Sequence, residues 1–182
     1  MSGLFVRAAR PEDFDAIARL TVAAYRADGQ ITDGSDYARV LADVPARANA
    51  GELLVAVDET TGAVIGSVLF VLPGTPYAEL AEPGEAEFRM LAVDPAAQGR
   101  GAGQALARAC VDRAVELGCH AVVISVRSFA TAAQRLYARL GFVRTPERDW
   151  SPAPGIDLLA LRLELPVTTA GAAAAATGRP GS

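Results

Sequence analysis

Lysine is missing from this sequence: all 17 basic residues are arginine. Without an ε-amine there is no lysine Schiff base and no lysine for a Walker-type phosphate loop. His120 is the one histidine, too little for a histidine-based metal site or a serine–histidine triad. Cys110 and Cys119 are too few and too widely spaced for a zinc cluster or a disulfide framework, so reduced thiols are expected. Positive charge is also short: 21 acidic against 17 basic residues give a net charge of -4, which offers no basic field to nucleic acid or anionic lipid. Long apolar runs are lacking as well. Leu4 to Val6 is cut by Arg7, and the uncharged stretch 60–78 contains Gly62, Gly66, Pro73, Gly74 and Pro76. A membrane helix needs about 20 mainly apolar residues. The expectation is a cytoplasmic protein with no metal, no nucleic-acid partner and no membrane partner.

What is present suits one globular domain, since 51% of the 182 residues are hydrophobic and 21% charged. Leu4 to Ala8 reads as a strand, followed by a helix carrying Phe14, Ile17, Leu20 and Ala24 at helical spacing. A second short helix carries Tyr37, Val40, Leu41 and Val44, capped by Ser35 or Asp36. Leu53 to Val57 and Val64 to Leu72 read as a hairpin. The loop 73–84 follows, with Glu79 and Glu82 in it, Glu85 just beyond and no basic residue. Glu85 to Val93 reads as a central strand, 102–117 as a helix, Ala121 to Val126 as a buried strand and Ala132 to Leu140 as a helix closed by Gly141. Phe142 onward and Ile156 to Leu165 are the last two strands, separated by turn residues 151–155. The domain is expected over 1–166, and 167–182, rich in alanine and glycine, reads as a flexible tail.

The central strand enters its helix through Gln98-Gly99-Arg100-Gly101-Ala102-Gly103. Unpaired amides at such a junction, together with the helix dipole, make an anion site, to which Arg100 adds a guanidinium. Neither the Walker nor the dinucleotide glycine spacing is met. The pattern alone leaves phosphate binding level with a glycine turn kept for packing.

Phe88-Arg89-Met90-Leu91-Ala92-Val93-Asp94-Pro95, running into Gln98-x-x-Gly101-x-Gly103, resembles the acyl-CoA-binding signature of the GCN5-related N-acetyltransferase (GNAT) family. Leu136-Tyr137-Ala138-Arg139-Leu140-Gly141-Phe142 resembles a second motif of that family, in the expected order. The resemblance implies an α+β fold: a single domain whose mixed, mostly antiparallel sheet splays between strands 4 and 5, with helices on both faces. It implies acetyl-CoA as co-substrate, its pantetheine arm paired with the main chain at Leu91, Ala92 and Val93. Its diphosphate would be taken by Gln98, Gly99, Arg100, Gly101, Ala102, Gly103 and Gln104. One departure stands out: Ala130 occupies the place of a common asparagine that contacts the pantetheine arm, with Ser128 nearby as a substitute.

Two residues carry the expected chemistry. Glu87 matches the spacing of a catalytic glutamate in part of the family, and would accept the amine proton. A Glu87–Arg89 pair on one strand face is the structural alternative, and Glu85 the nearest substitute base. Tyr137 matches the tyrosine that protonates the CoA sulfur, although it also lies on an apolar helical stripe with Ala133, Leu136 and Leu140. Trp150 and Arg148, before the last turn, are placed at the acceptor pocket, with Trp150 as an anchor of that turn the alternative. His120, Cys119 and Cys110 read as packing or surface residues.

The resemblance implies transfer of an acetyl group to a primary amine, preferably of a small molecule, by direct attack in a ternary complex; the acidic loop either attracts a cationic amine or is simply a solvated loop. Homodimerisation is carried by family analogy alone. A non-catalytic acyl-CoA sensor is the alternative, followed by a purely structural interaction protein. Only the last predicts no CoA affinity.

Overall fold

In the computed structural model, which describes residues 3–166, the chain opens with strand β1 (Leu4–Ala8). A single turn at Pro11–Asp13 then feeds helix α1 (Phe14–Ala27). Asp13 fixes this corner: its carboxylate accepts from the Arg10 amide at 2.8 Å and pairs with Arg7 at 2.6 Å. The apolar face of α1, with Ile17, Leu20 and Ala24, is buried against the sheet.

Helix α2 (Asp36–Ala42) starts at Ser35, whose hydroxyl accepts from the Tyr37 amide. The expected single helix is in fact two, because Val44 belongs to α3 (Val44–Ala50). Pro45 cannot continue a helix interior but suits a first turn, and Asp43 caps that turn by accepting from the Ala46 amide at 3.2 Å.

Strands β2 (Glu52–Asp58), β3 (Val64–Val71) and β4 (Glu85–Val93) follow, then α4 (Ala102–Glu116), β5 (Ala121–Arg127) and α5 (Thr131–Arg139). The chain then forms β6 (Val143–Arg144), β7 (Trp150–Ala153) and β8 (Ile156–Glu164). The sheet runs β1-β2-β3-β4-β5-β8-β6, with β7 also on β8. Every pairing is antiparallel except β4 with β5, whose parallel arrangement requires the crossover that α4 supplies. Phe70, Ala86, Phe88, Leu106, Ile124 and Tyr137 share one core with α4 and α5 on their side of the sheet. Ile17, Val44, Val55, Leu69 and Val71 form another with α1 and α3 on the opposite side.

The expected final pair of strands is three. Arg144 and the Ala160 amide both bind Asp149, and Pro146 has no N–H for a ladder, so β6 stops after two residues. Ser151 to Ala153, read as the start of the turn, instead belong with Trp150 to β7, which pairs with β8 as an edge strand that tolerates Pro152. The tail assigned to 167–182 lies outside the described residues.

Candidate active site

β4 and β5 pair only from Glu85–Ala121 to Glu87–Val123. Beyond that, β4 stays on β3 as far as Val93 while β5 stays on β8 as far as Arg127. Two strand edges therefore face each other in mid-sheet without a ladder between them, and their N–H and C=O groups need another partner. A cavity of about 870 Å³ occupies the gap, with Phe88–Val93 on one wall and Ile124–Arg127 on the other.

A bulge shapes the first wall. Leu69 faces Arg89 and Ser67 faces Ala92, so β4 holds one more residue than β3 across this interval. Met90 takes up the excess with φ 55, a left-handed conformation uncommon outside glycine. The side-chain alternation shifts there. Phe88 packs with the α4–α5 core, Met90 with Ile31 and Leu41 on the other side, and Leu91 and Val93 return to the α4–α5 core.

The cavity continues to the glycine segment, where Gln98, Gly99, Gly101, Ala102, Gly103 and Gln104 line it. Gly101, at φ 82, is the N-cap of α4 and provides no side-chain cap. The N–H groups of Ala102, Gly103 and Gln104 form the first helical turn, which has no intrahelical acceptor, so they are open to an anion. The guanidinium of Arg100, expected to add to this anion site, pairs with Asp58 at 2.7 Å, tying the glycine segment to the β2–β3 turn.

Tyr137 faces both core and cavity. It is 7% exposed, and its ring lies 5.9 Å from Phe88 and 5.8 Å from Phe142, yet it also lines the cavity. Among the described residues its hydroxyl has no hydrogen-bond partner in the protein, and burial pushes the phenol up, which keeps it protonated and able to donate. Ala130 lines the cavity without a polar group, and Gln134 braces the neighbouring turn by donating to the carbonyls of Arg127 and Ser128. Trp150 is a wall residue whose indole N–H donates to Ser125 Oγ at 3.1 Å.

Glu87 is turned into the protein, 1% exposed. Its Oε1 accepts from the amides of Glu79, Leu80 and Ala81 at 3.0, 2.7 and 3.0 Å, and Arg89 Nε stands 4.0 Å from Oε2. Glu79 lines the cavity, and its carboxylate is 3.2 Å from Arg89 Nη1. Glu85, the substitute base, is held by Arg148 at 3.1 Å and Arg162 at 3.3 Å, away from the cavity wall. Arg148 also donates to the Leu80 carbonyl, so it anchors the loop instead of lining the pocket.

The pattern of known proteins agrees with this geometry. Residues 14–142 match the family described as acetyltransferase (GNAT). The chain belongs to that family. Its fold is similar to a GCN5-related N-acetyltransferase from Kribbella flavida, 28% identical, TM-score 0.64, over 89% of this chain and 98% of that one. It is also similar to yncA of Salmonella typhimurium, whose structure contains its cofactor acetyl-CoA: 26% identity, TM-score 0.63, over 90% of this chain and 94% of that one. The mycothiol acetyltransferase of Mycobacteroides abscessus is 44% identical over 63 residues, 35% of this chain and 21% of that protein. The match thus spans about a fifth of the length of that curated relative.

The cavity thus offers a long acyl-CoA two kinds of unpaired main-chain group, along the freed edge of β4 and in the first turn of α4. Among the described residues no group of three or more metal-ligating side chains occurs, and no helix is long and apolar enough to cross a membrane. Sequence reasoning missed the Met90 bulge, since methionine carries none of the signal a glycine would give at positive φ.

Proposed function

We propose that this protein is a cytoplasmic N-acetyltransferase that moves an acetyl group from acetyl-CoA to a primary amine of a small molecule, by direct attack in a ternary complex. The supporting observation is the continuity of one cavity. It joins the unladdered edge of β4 from Phe88 to Val93, the open first turn of α4 and the Tyr137 ring. Leu91, Ala92 and Val93 would hold the pantetheine arm through the main chain. Amides between Gly99 and Gln104 would take the diphosphate. The amine nitrogen then forms its bond to the thioester carbonyl carbon as the carbon–sulfur bond breaks. The departing sulfur accepts a hydrogen bond from Tyr137, and the proton leaving nitrogen goes to a carboxylate. Tyr25, Tyr37 and Trp150 on the remaining walls suit an amine with an apolar or aromatic body. The free thiols of Cys110 and Cys119 support a reducing compartment.

Thermal shift with acetyl-CoA, CoA and ATP tests the first half. Stabilisation by the two CoA species and not by ATP is expected. Thiol release over benzylamine, tyramine, putrescine and L-phenylalanine tests the second. Stabilisation by acetyl-CoA without turnover on any amine would favour a sensor, and no stabilisation would overturn the reading. Pairing as a homodimer rests on family analogy, and light scattering reads it directly.

A further inference from the structure

The acid that meets the acceptor amine is not settled by strand position, because the cavity wall and the loop before β4 divide the carboxylates between them. Glu87 is committed to the protein through one oxygen. Oε1 already takes three main-chain N–H groups, and Oε2 takes a longer contact from the Glu79 amide at 3.3 Å. At 1% exposure its other oxygen is closed to a substrate, and Glu87 does not line the cavity. The three amides it holds belong to 79–81, so the array fixes the path of the loop on which Glu79 sits.

Glu79 is placed differently. Its main chain is held by Glu87, its side chain keeps 32% of its surface exposed, and it lines the cavity with Tyr25, Tyr37 and Met90. Arg89, next to the bulge, fixes it from β4 at 3.2 Å while donating to the Tyr77 carbonyl at 3.0 Å. Asp28, the other carboxylate in the wall, follows the end of α1 and has no arginine fixing it among the described residues.

We propose that Glu79 is the carboxylate that binds the acceptor's ammonium and then takes the proton from its nitrogen, and that Glu87 is a positioning residue acting through the 79–81 amides. The proposal rests on the N-acetyltransferase reading above. Two N–H bonds of the ammonium break in turn: the first proton joins a Glu79 oxygen and frees the nitrogen lone pair for the acyl carbon, and the second leaves as the carbon–sulfur bond breaks and ends on the departing sulfur beside Tyr137. The charged and titratable groups facing Glu79 are Arg89 and Glu87 of β4 and Tyr37 of α2, and Tyr37 in turn feels Arg47 of α3 and Tyr77 of the loop. Partial burial pushes the Glu79 carboxyl up, Arg89 opposes this and the Glu87 charge adds to it, for a net rise. A carboxyl moved toward neutrality is a better base at pH 7.

The test compares Glu79→Gln and Glu87→Gln in the full chain, using acetyl-CoA and the four amines named above. Glu79→Gln is expected to lower kcat about 100-fold, within the range for loss of a general base. KM for acetyl-CoA and the acetyl-CoA thermal shift should stay unchanged, and the acid limb of the kcat–pH profile should vanish. Glu87→Gln should keep that limb but move it to lower pH, because a like charge beside Glu79 has gone, and should raise KM for the amine more than it lowers kcat. Glu79→Gln activity within threefold of the parent with its acid limb intact would overturn the proposal. So would loss of the limb in Glu87→Gln alone, which would make Glu87 the base. A parent protein that acetylates none of the amines, yet is stabilised by acetyl-CoA, would remove the small-amine reading and this proposal with it.

Discussion

Phe88 on β4 and Tyr137 on α5 meet with ring centroids 5.9 Å apart and planes 59° from parallel, and Phe142 stands edge-on to both. The Tyr137 ring is thus fixed by packing, while its hydroxyl has no partner among the described residues. Packing and chemistry can therefore be separated at this residue. Tyr137→Phe keeps the aromatic trio and should leave the melting temperature within about 2 °C, consistent with a change in stability of only about 0.5 kcal/mol. Turnover should fall at least tenfold at saturating acetyl-CoA, measured by thiol release. Unchanged turnover would leave the ring with a packing role only.

Glu85 is 3% exposed and gathers Arg148, Arg162 and the Glu82 amide. Burial pushes its carboxyl up, but Arg148, that amide and Arg162 together pull harder, so it lies below its ordinary value of 4.5. The unfolded chain therefore takes up this proton more readily than the folded one. The stability contributed by the group is full above the ordinary carboxylate range and is lost as pH falls through the depressed folded value. Glu85→Gln should show a shallower fall in melting temperature between pH 6 and pH 3 than the parent, by circular dichroism. Glu85→Ala should cost about 3 kcal/mol near pH 7, because two arginines then face each other with no carboxylate between them.

At Gly101 an added Cβ meets nothing within 4 Å, so the constraint on this position is conformational: φ +82. A side chain there costs about 1 to 2 kcal/mol and turns the α4 amides off their present direction. Gly101→Val should raise the Kd for acetyl-CoA at least tenfold by titration calorimetry. Gly74, at φ +86 with open space around it, lies outside the cavity wall. Gly74→Val should lose similar stability with no change in Kd. Equal Kd changes in the two variants would remove the amide-aiming role of Gly101.

Most of the architecture was legible because the chain is punctuated where its structure changes. Pro11 opens the first helical turn, Gly101 starts α4 and Gly118 follows its end, and the two motifs flank one helix and one strand as the sheet requires. What escaped was set by contacts across the chain. Arg100 is also held by Asp58, 42 residues away, a pairing that no local pattern signals. Glu87 lay on the expected strand, but the loop amides that occupy it come from a segment without helix or strand pattern. Asp43 and Pro45 together signalled a second helix start, and the apolar spacing through Val44 concealed it.

Arg47 marks where stability and function compete. It is 0% exposed, and its one hydrogen bond among the described residues runs from Nη2 to the Leu41 carbonyl at 2.6 Å, leaving Nε and Nη1 buried with no protein partner. Burial pushes its pKa down, with Tyr25, Tyr77, Tyr37 and Asp43 as the groups that offset it. An unsatisfied buried donor costs about 1 to 3 kcal/mol, and a charged one more. Arg47→Met keeps the length of the side chain, removes that cost and leaves only the Leu41 carbonyl to be satisfied. The variant should be more stable by about 1 to 2 kcal/mol in urea titration, within the range seen when buried charges are replaced by apolar groups. Tyr25 and Tyr37 line the cavity in front of Arg47, so a residue retained for its field there would show a second effect: higher KM for the amine with KM for acetyl-CoA unchanged. A stabilised variant with parental kinetics would mean that this guanidinium serves neither the fold nor the cavity. A destabilised one would mean that the Leu41 contact outweighs both orphaned donors.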